Sequence, residues 1–383
     1  MTDFFSPDYF AARDRFRSGV LSNGGKIESI VLNATGPGGR DLTIDIGWFG
    51  PASPGHVFIH SSGIHGVEGF AGSAIQLQWL AEGMPKLADD HAIALVHAVN
   101  PFGMTWLRLA NENNVDLNHN FLASDEEYSA AAEQYAGVNA LLNPASAPSG
   151  VSFFQWMPKT LTEWKAAAKA LSLGRSGLRR VIGDGQYRYP RGLCFGGERR
   201  EQATRRLQLY LSTRLAFAER LIAVDVHTGP GQSGEDTLLV DGSPDRRAHA
   251  ADMQRAYGNR VRPISGNARG TLDGLLFRMF PGAKVYFAVQ DFGACNEIAA
   301  LNAARDENRQ HHYGDPSLLT HGTKQRLLRT FCPSDPEWRR KVLARGREVI
   351  AQGLALAFDL KYPVAVSRAA AGSGTAPRQL PGG

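Results

Sequence analysis

The stretch Val57-Phe-Ile-His-Ser-Ser-Gly-Ile-His65-Gly-Val-Glu68 constrains the chain more than any other. Val57 to Ile59 is a short apolar run, as a buried strand requires. Small residues and Gly63 follow, and apolar residues at Phe70, Ala74, Ile75, Leu77, Trp79 and Leu80 predict a helix over about 67–82. Strand, tight turn and helix in succession are the unit of an α/β sheet, and ligand sites in such sheets collect at the carboxyl ends of strands. His65 and Glu68 fall at that junction, three residues apart on one turn, so both side chains can face the same side. An imidazole and a carboxylate together suit a borderline cation such as Zn2+. The pattern alone also fits a capped helix start, so a metal site needs a further ligand, a base and an anion clamp from elsewhere in the chain.

The alternation continues. Period and turn signals predict strands over 27–32, 41–48, 56–61, 92–99, 221–226, 237–240 and 284–289. They predict helices over 7–17, 201–219, 244–257, 271–280, 296–310 and 337–358. The expected fold is α/β, a mixed twisted sheet with helices on both faces. Residues 122–200 read as a helical insertion on that sheet, with helices over 124–142, 159–170 and 175–184. Residues 1–363 are expected to form one domain, and the Ala/Gly/Pro/Ser-rich stretch 364–383 a disordered tail.

Composition removes several function classes. At 383 residues, with 43% hydrophobic and 21% charged residues, the chain reads as a soluble globule. Its net charge of +5 comes without a long Lys/Arg run or a nucleic-acid-binding motif, so no nucleic-acid partner is expected. The three cysteines, Cys194, Cys295 and Cys332, lack the CxxC spacing of a zinc knuckle and the even count of a disulfide framework. The N-terminus has no basic segment leading into an apolar one, and no apolar stretch is long enough to span a bilayer. A cytoplasmic location without a membrane partner is the expectation. Oligomeric state is not legible.

Two later stretches supply what His65 and Glu68 lack. The apolar strand ending in Asp225-Val-His227-Thr-Gly places His227 at the same expected rim, as a third metal ligand or as a satisfied strand-end histidine. Asp225, two residues earlier on the same strand face, can orient it as an outer partner. Residues 100–121 are dense in polar side chains directly after a buried strand. Within them Asp116 can hold the second ring nitrogen of a metal-bound histidine. Arg108 is a fixed cation for an oxyanion, and Asn118 a donor to a substrate carboxylate or carbonyl. An Asn-rich turn with side-chain caps is the alternative reading of this stretch.

His65-x-x-Glu68, then Asn-Pro-Phe-Gly, then Val-Asp-Leu-Asn-x-Asn-Phe, then Asp-Val-His227, occur in the order found in zinc carboxypeptidase-like metallopeptidases, and the chain resembles a bacterial branch of that superfamily over about residues 25–360. The resemblance implies His65, Glu68 and His227 as ligands of one zinc ion with water in the fourth position. It implies Arg108 as the oxyanion-stabilising arginine, and Asn118 with His119 as the pair that binds the substrate's terminal carboxylate. It implies Asp291 as the general base. Two departures stand out. The superfamily pair is Asn-Arg, and His119 lacks arginine's charge and fork. The superfamily base is a glutamate, and Asp291 is one methylene, about 1.5 Å, shorter. Glu297 is the fallback base, and the tyrosine expected upstream of Asp291 is absent.

Other signals fail their context. Gly229-Pro-Gly-Gln-Ser-Gly234 matches GxGxxG but leads into a strand rather than a helix. No Gly-x-Ser-x-Gly elbow is present. His60, His97, His311 and His312 read as structural or surface residues. The expected activity is zinc-dependent hydrolysis of an amide or peptide bond, on a peptide or acyl-amino-acid substrate. The alternatives are a deacylase of N-acyl amino acids or small amides, and a zinc- or ligand-binding protein with little catalysis.

Overall fold

The computed structural model describes residues 3–123, 128, 133–148, 158–264 and 268–360. The expected tail at 364–383 and the first part of the helix expected over 124–142 lie outside the described residues. Eight strands form one sheet: β1 Lys26–Thr35, β2 Asp41–Phe49, β3 His56–Ser62, β4 His91–His97, β5 Arg220–Pro230, β6 Asp236–Asp241, β7 Val261–Ile264 and β8 Lys284–Cys295. Their order is β1-β2-β4-β3-β5-β8-β6-β7. The four central strands, β4, β3, β5 and β8, run parallel, while β1, β2 and β6 pair antiparallel with their inner neighbours. The sheet is therefore mixed, as the sequence predicts.

The helices are α1 Tyr9–Ser22, α2 Gly69–Glu82, α3 Pro101–Thr105, α4 Glu133–Leu142, α5 Leu161–Gly183 and α6 Gln202–Arg214. After β5 come α7 Arg247–Tyr257, α8 Leu272–Met279, α9 Glu297–Tyr313, α10 Gly322–Phe331 and α11 Pro336–Ala357. Two apolar layers cover the two sheet faces. One joins Phe58, Ile222, Val224 and Ala288 of the strands to Ala71 and Ile75 of α2 and Val349 and Ile350 of α11. The other joins Val57, Ile59, Leu221, Ala223, Val285 and Phe287 to Leu207 and Leu211 of α6 and Leu272 and Leu276 of α8. Neighbouring strand residues alternate between the layers because successive side chains point to opposite faces. A one-residue slip would exchange the faces of every strand side chain, so burial on both sides fixes the register.

Several expected boundaries shift, and two shifts bear on function. β5 runs on to Pro230 rather than ending at His227, and β8 runs on to Cys295, because the two strands keep pairing from His227–Asp291 to Pro230–Cys295. His227 and Asp291 are thus held inside a ladder rather than on loose strand ends. The helices expected over 159–170 and 175–184 meet in α5 at Gly174, whose φ of 64° and ψ of −178° are not helical. α6 stops at Arg214, short of the expected 219, since β5 must begin at Arg220. Sequence patterning did not single out β7 or α10: β7 has only four residues, three of them exposed, and α10 is rich in Lys, Arg and Thr. The expected insertion carries a small core of its own, where Tyr135, Val138 and Leu142 of α4 meet Val181 of α5.

Candidate active site

The strand-turn-helix that carries His65 depends on two glycines. Gly63 has φ +73°, which β-branched or bulky residues rarely adopt, and turns the chain out of β3. Gly66 packs so closely on the 100–110 stretch that an added Cβ would stand 2.0 Å from the Gly103 carbonyl carbon. Backbone bonds from Gly66 N–H to Leu109 C=O and from Val67 N–H to Arg108 C=O tie the two motif-bearing loops together. Gly66–Glu68 is a single 3-10 turn before α2, and His65 makes no side-chain cap bond there. The capped-helix reading of HxxE is thereby excluded.

His65, Glu68 and His227 come together, with one ligand atom from each lying within 4.8 Å of the others. His65 Nδ1 is 3.1 Å from Glu68 Oε1, and His227 Nδ1 is 3.6 Å from Glu68 Oε2. The two rings stand nearly perpendicular, 87° apart. Each ring presents its other nitrogen to a carboxylate. His65 Nε2 lies 3.1 Å from Asp116 Oδ1, and His227 Nε2 lies 2.7 Å from Asp225 Oδ2. Asp225 accepts in addition from Ser61 Oγ at 2.6 Å, and Glu68 Oε2 from the Thr228 N–H at 3.0 Å.

This donor set fits a zinc ion. Ligands about 2.0–2.1 Å from a tetrahedral centre stand roughly 3.3 Å apart, close to the 3.1 and 3.6 Å here. Both Nδ1 atoms face the shared carboxylate while both Nε2 atoms are held by aspartates, the half-buried Asp116 and the buried Asp225, the outer arrangement that fixes a metal-binding imidazole. The electrostatics agree. Burial opposes a charge on His65, but Asp116 and Glu68 raise its pKa well above the usual value. Burial likewise opposes charge on His227, and Asp225 and then Glu68 outweigh it. Asp116 and Asp225 are both held below the ordinary carboxylate range, because their histidines overcome the cost of burial. The cluster stabilises positive charge at its centre.

Asp291 stands opposite His227 in the β5–β8 ladder. Burial pushes its carboxyl up to about 6, with His227 opposing and Glu68 adding to the shift. It lines a cavity of about 740 Å³ together with His65, Glu68, His227, Asn118 and His119. Glu297, the fallback base, lines a different cavity and pairs with Arg179 at 3.6 Å. The Asn118 side chain is half-buried and makes no hydrogen bond to another described residue, which leaves it available to a ligand. His119 is engaged: its Nδ1 lies 3.1 Å from the Arg269 carbonyl, and its ring packs against Gly185.

Arg108 is more committed than the sequence suggests. Its head group is 1% exposed and pairs with Glu307 at 3.0 Å. Nη2 donates to Asn114 and Asn308, and Nη1 donates once to the Asn111 carbonyl. One Nη1 N–H remains after these bonds, and an oxyanion role rests on that donor alone. Lys324, fully buried, shares Glu307 at 3.1 Å. Residue patterns gave no sign of the Glu307–Lys324 pair, since α9 and α10 are polar helices and the partners lie 199 and 17 residues from Glu307 in sequence. Ser61 was equally hidden, although its register opposite Asp225 follows once β3 and β5 are paired.

His60 and His97 stay out of the site. Both are buried, beside Gln76 and Ser73, and burial pulls each pKa down to about 4. The Gly229–Gly234 stretch is the end of β5 and the start of its connection to β6, tied to β8 by the Gly231 and Gly234 N–H groups.

The architecture is an α/β fold with a His-Glu-His cluster at the carboxyl ends of the central parallel strands. The chain belongs to the family described as "Protein of unknown function (DUF2817)", which matches residues 5–345. No curated protein sequence matches it. Among solved structures it is similar to a carboxypeptidase A from Helicoverpa armigera, with 12% identity over 94% of this chain and 76% of that one and a TM-score of 0.44. It is also similar to a succinylglutamate desuccinylase from Silicibacter sp. TM1040, with 14% identity over 76% of this chain and 67% of that one and a TM-score of 0.38. A third is the murein-tripeptide amidase of Escherichia coli O157, with 14% identity over 74% of this chain and 91% of that one and a TM-score of 0.35. Among the described residues no helix is long and apolar enough to cross a membrane.

Proposed function

We propose that the protein is a zinc-dependent hydrolase of an amide bond, with His65, Glu68 and His227 as the ligands. The observation that carries this reading is the placement of Asp291 beside that triad, at the ladder position opposite His227. Two imidazoles with one carboxylate favour zinc over the oxygen-preferring magnesium and calcium. When bound, zinc would acidify a water and polarise the scissile carbonyl.

The chain's own residues supply the rest. Asp291, raised to about 6, is ionised at neutral pH yet basic enough to take a proton from the attacking water and return it to the leaving nitrogen. Asp116 and Asp225 keep both imidazoles in the tautomer that directs Nδ1 inward. Arg108 offers its remaining Nη1 N–H to the developing oxyanion. Asn118 orients the substrate through its free amide. The replacement of arginine by His119, whose ring is tied to a backbone carbonyl, weakens recognition of a free carboxylate on the leaving amine half.

The test compares a panel of free-C-terminal peptides with a panel of N-acyl amino acids, using zinc-loaded protein and the Asp291→Asn variant. The expected result is cleavage that falls about 10²–10⁴-fold in the variant while zinc stays bound. A variant as active as the native protein would remove Asp291 from the mechanism.

A further inference from the structure

A cavity of about 500 Å³ is lined by His65 and Glu68 but not by Asp291. That volume lies in the range of small-molecule sites. Its walls are aliphatic: Leu109 beside the metal triad, Leu178 and Ile182 from α5, Leu193, and Ile298 and Leu301 from α9. The polar groups that reach it are bound to one another. Arg108 holds Glu307, Asn114 and Asn308, and at the rim Arg179 faces Glu297 at 3.6 Å. Among the described residues both cations of this wall, Arg108 and Arg179, already face a carboxylate and Arg108 keeps a single unused N–H, whereas an apolar group would remove the aliphatic surfaces from water.

The position of the base tells which half of an amide enters. A base that takes a proton from water returns it to the leaving nitrogen, so the amine half lies within reach of Asp291. Asp291 and Asn118 line the larger, more polar cavity and not this one. The acyl half is therefore assigned to the cavity that Asp291 and Asn118 do not line. We propose that the substrate is an N-acyl amino acid or amide whose acyl group is large and apolar, seated between α5 and α9. This rests on the amide-hydrolase reading for which half is which. α5 belongs to the expected insertion, whose role is then to build the acyl pocket.

The test has two arms on the full chain. In the first, zinc-loaded protein is given N-acetyl-, N-butanoyl-, N-hexanoyl- and N-octanoyl-alanine. The expected kcat/KM rises about fourfold for each methylene until the cavity is filled. A flat or falling series overturns the proposal and leaves the hydrolase reading intact. In the second arm, calorimetry measures octanamide and acetamide binding to metal-free protein. Octanamide is expected to bind at least tenfold tighter, and Ile298→Asp, at a position 66% exposed and so harmless to folding, is expected to abolish the difference. Ile182→Ser on the facing helix is expected to weaken octanamide binding in the same direction. Equal binding of the two amides overturns the proposal. Octanamide binding without cleavage of any acyl-alanine supports the pocket and sinks the hydrolase reading.

Discussion

His227 and Asp291 face each other across two parallel strands, Cα opposite Cα, with β5 and β8 paired on both sides of them. An imidazole and a carboxylate held in one ladder cannot drift apart without breaking backbone hydrogen bonds. Strand pairing thus holds Asp291 at a fixed place beside the proposed metal position.

As the proposed base, Asp291 is expected to set the acid limb of the activity. A base works only when ionised, and burial places this carboxyl at about 6. A bound cation beside it would favour the ionised form and lower that value. kcat/KM is therefore expected to fall tenfold per unit of pH on the acid side of a midpoint at or below about 6. A pH–rate profile checks this; an acid limb midpoint near 8 would assign the base to another group.

Protons and metal are expected to compete for His65, Glu68 and His227. His65 and His227 both have raised pKa values, so without metal each tends to hold a proton that binding must displace. Zinc affinity is expected to fall as pH is lowered, with proton release visible by calorimetry in buffers of different ionisation enthalpy. Asp225→Ala removes the partner of His227 Nε2 and is expected to weaken zinc binding about 10–100-fold. Affinity that stays constant between pH 8 and 6 would contradict the ligand set.

Glu307 holds two buried cations, Arg108 at 3.0 Å and Lys324 at 3.1 Å. Its removal leaves both uncompensated. Glu307→Ala is expected to lower unfolding free energy by about 3–5 kcal/mol, measured by urea denaturation. A loss under 1 kcal/mol would show that water reaches the pair.

Gly66 has no room for a side chain. An alanine there would place Cβ 2.0 Å from the Gly103 carbonyl carbon and 2.4 Å from the Arg108 carbonyl oxygen, both backbone atoms that cannot swing aside. Gly66→Ala is expected to cost about 1–3 kcal/mol or more and to weaken zinc binding, since His65 and Glu68 flank it. Unchanged stability and zinc affinity would mean that the loop relaxes freely.

The strands of the sheet centre and the grouping of His65, Glu68 and His227 were legible because their signals are local or ordered. Buried parallel strands show as apolar runs, and His65, Glu68 and His227 each sit beside one. Asp116 and Asp225 were readable as outer partners for the same reason, and the structure places both on ring nitrogens. What lay hidden depends on contacts between distant segments. Arg108 looked like a free cation because Glu307 lies 199 residues away on a polar helix. The break of α5 at Gly174 was visible as two helices, but that its far end walls the cavity beside His65 follows only from packing. His119 reads as a substrate contact until Arg269 takes its Nδ1.

The most direct measurement is zinc content per chain, in native protein and in His65→Ala, purified without added metal and then again after zinc is supplied. The account expects about one zinc per native chain and its loss in the variant, with both proteins folded by circular dichroism. Native protein that takes up no zinc when supplied with it, or a variant that retains it fully, would contradict the metal centre and the hydrolase built on it.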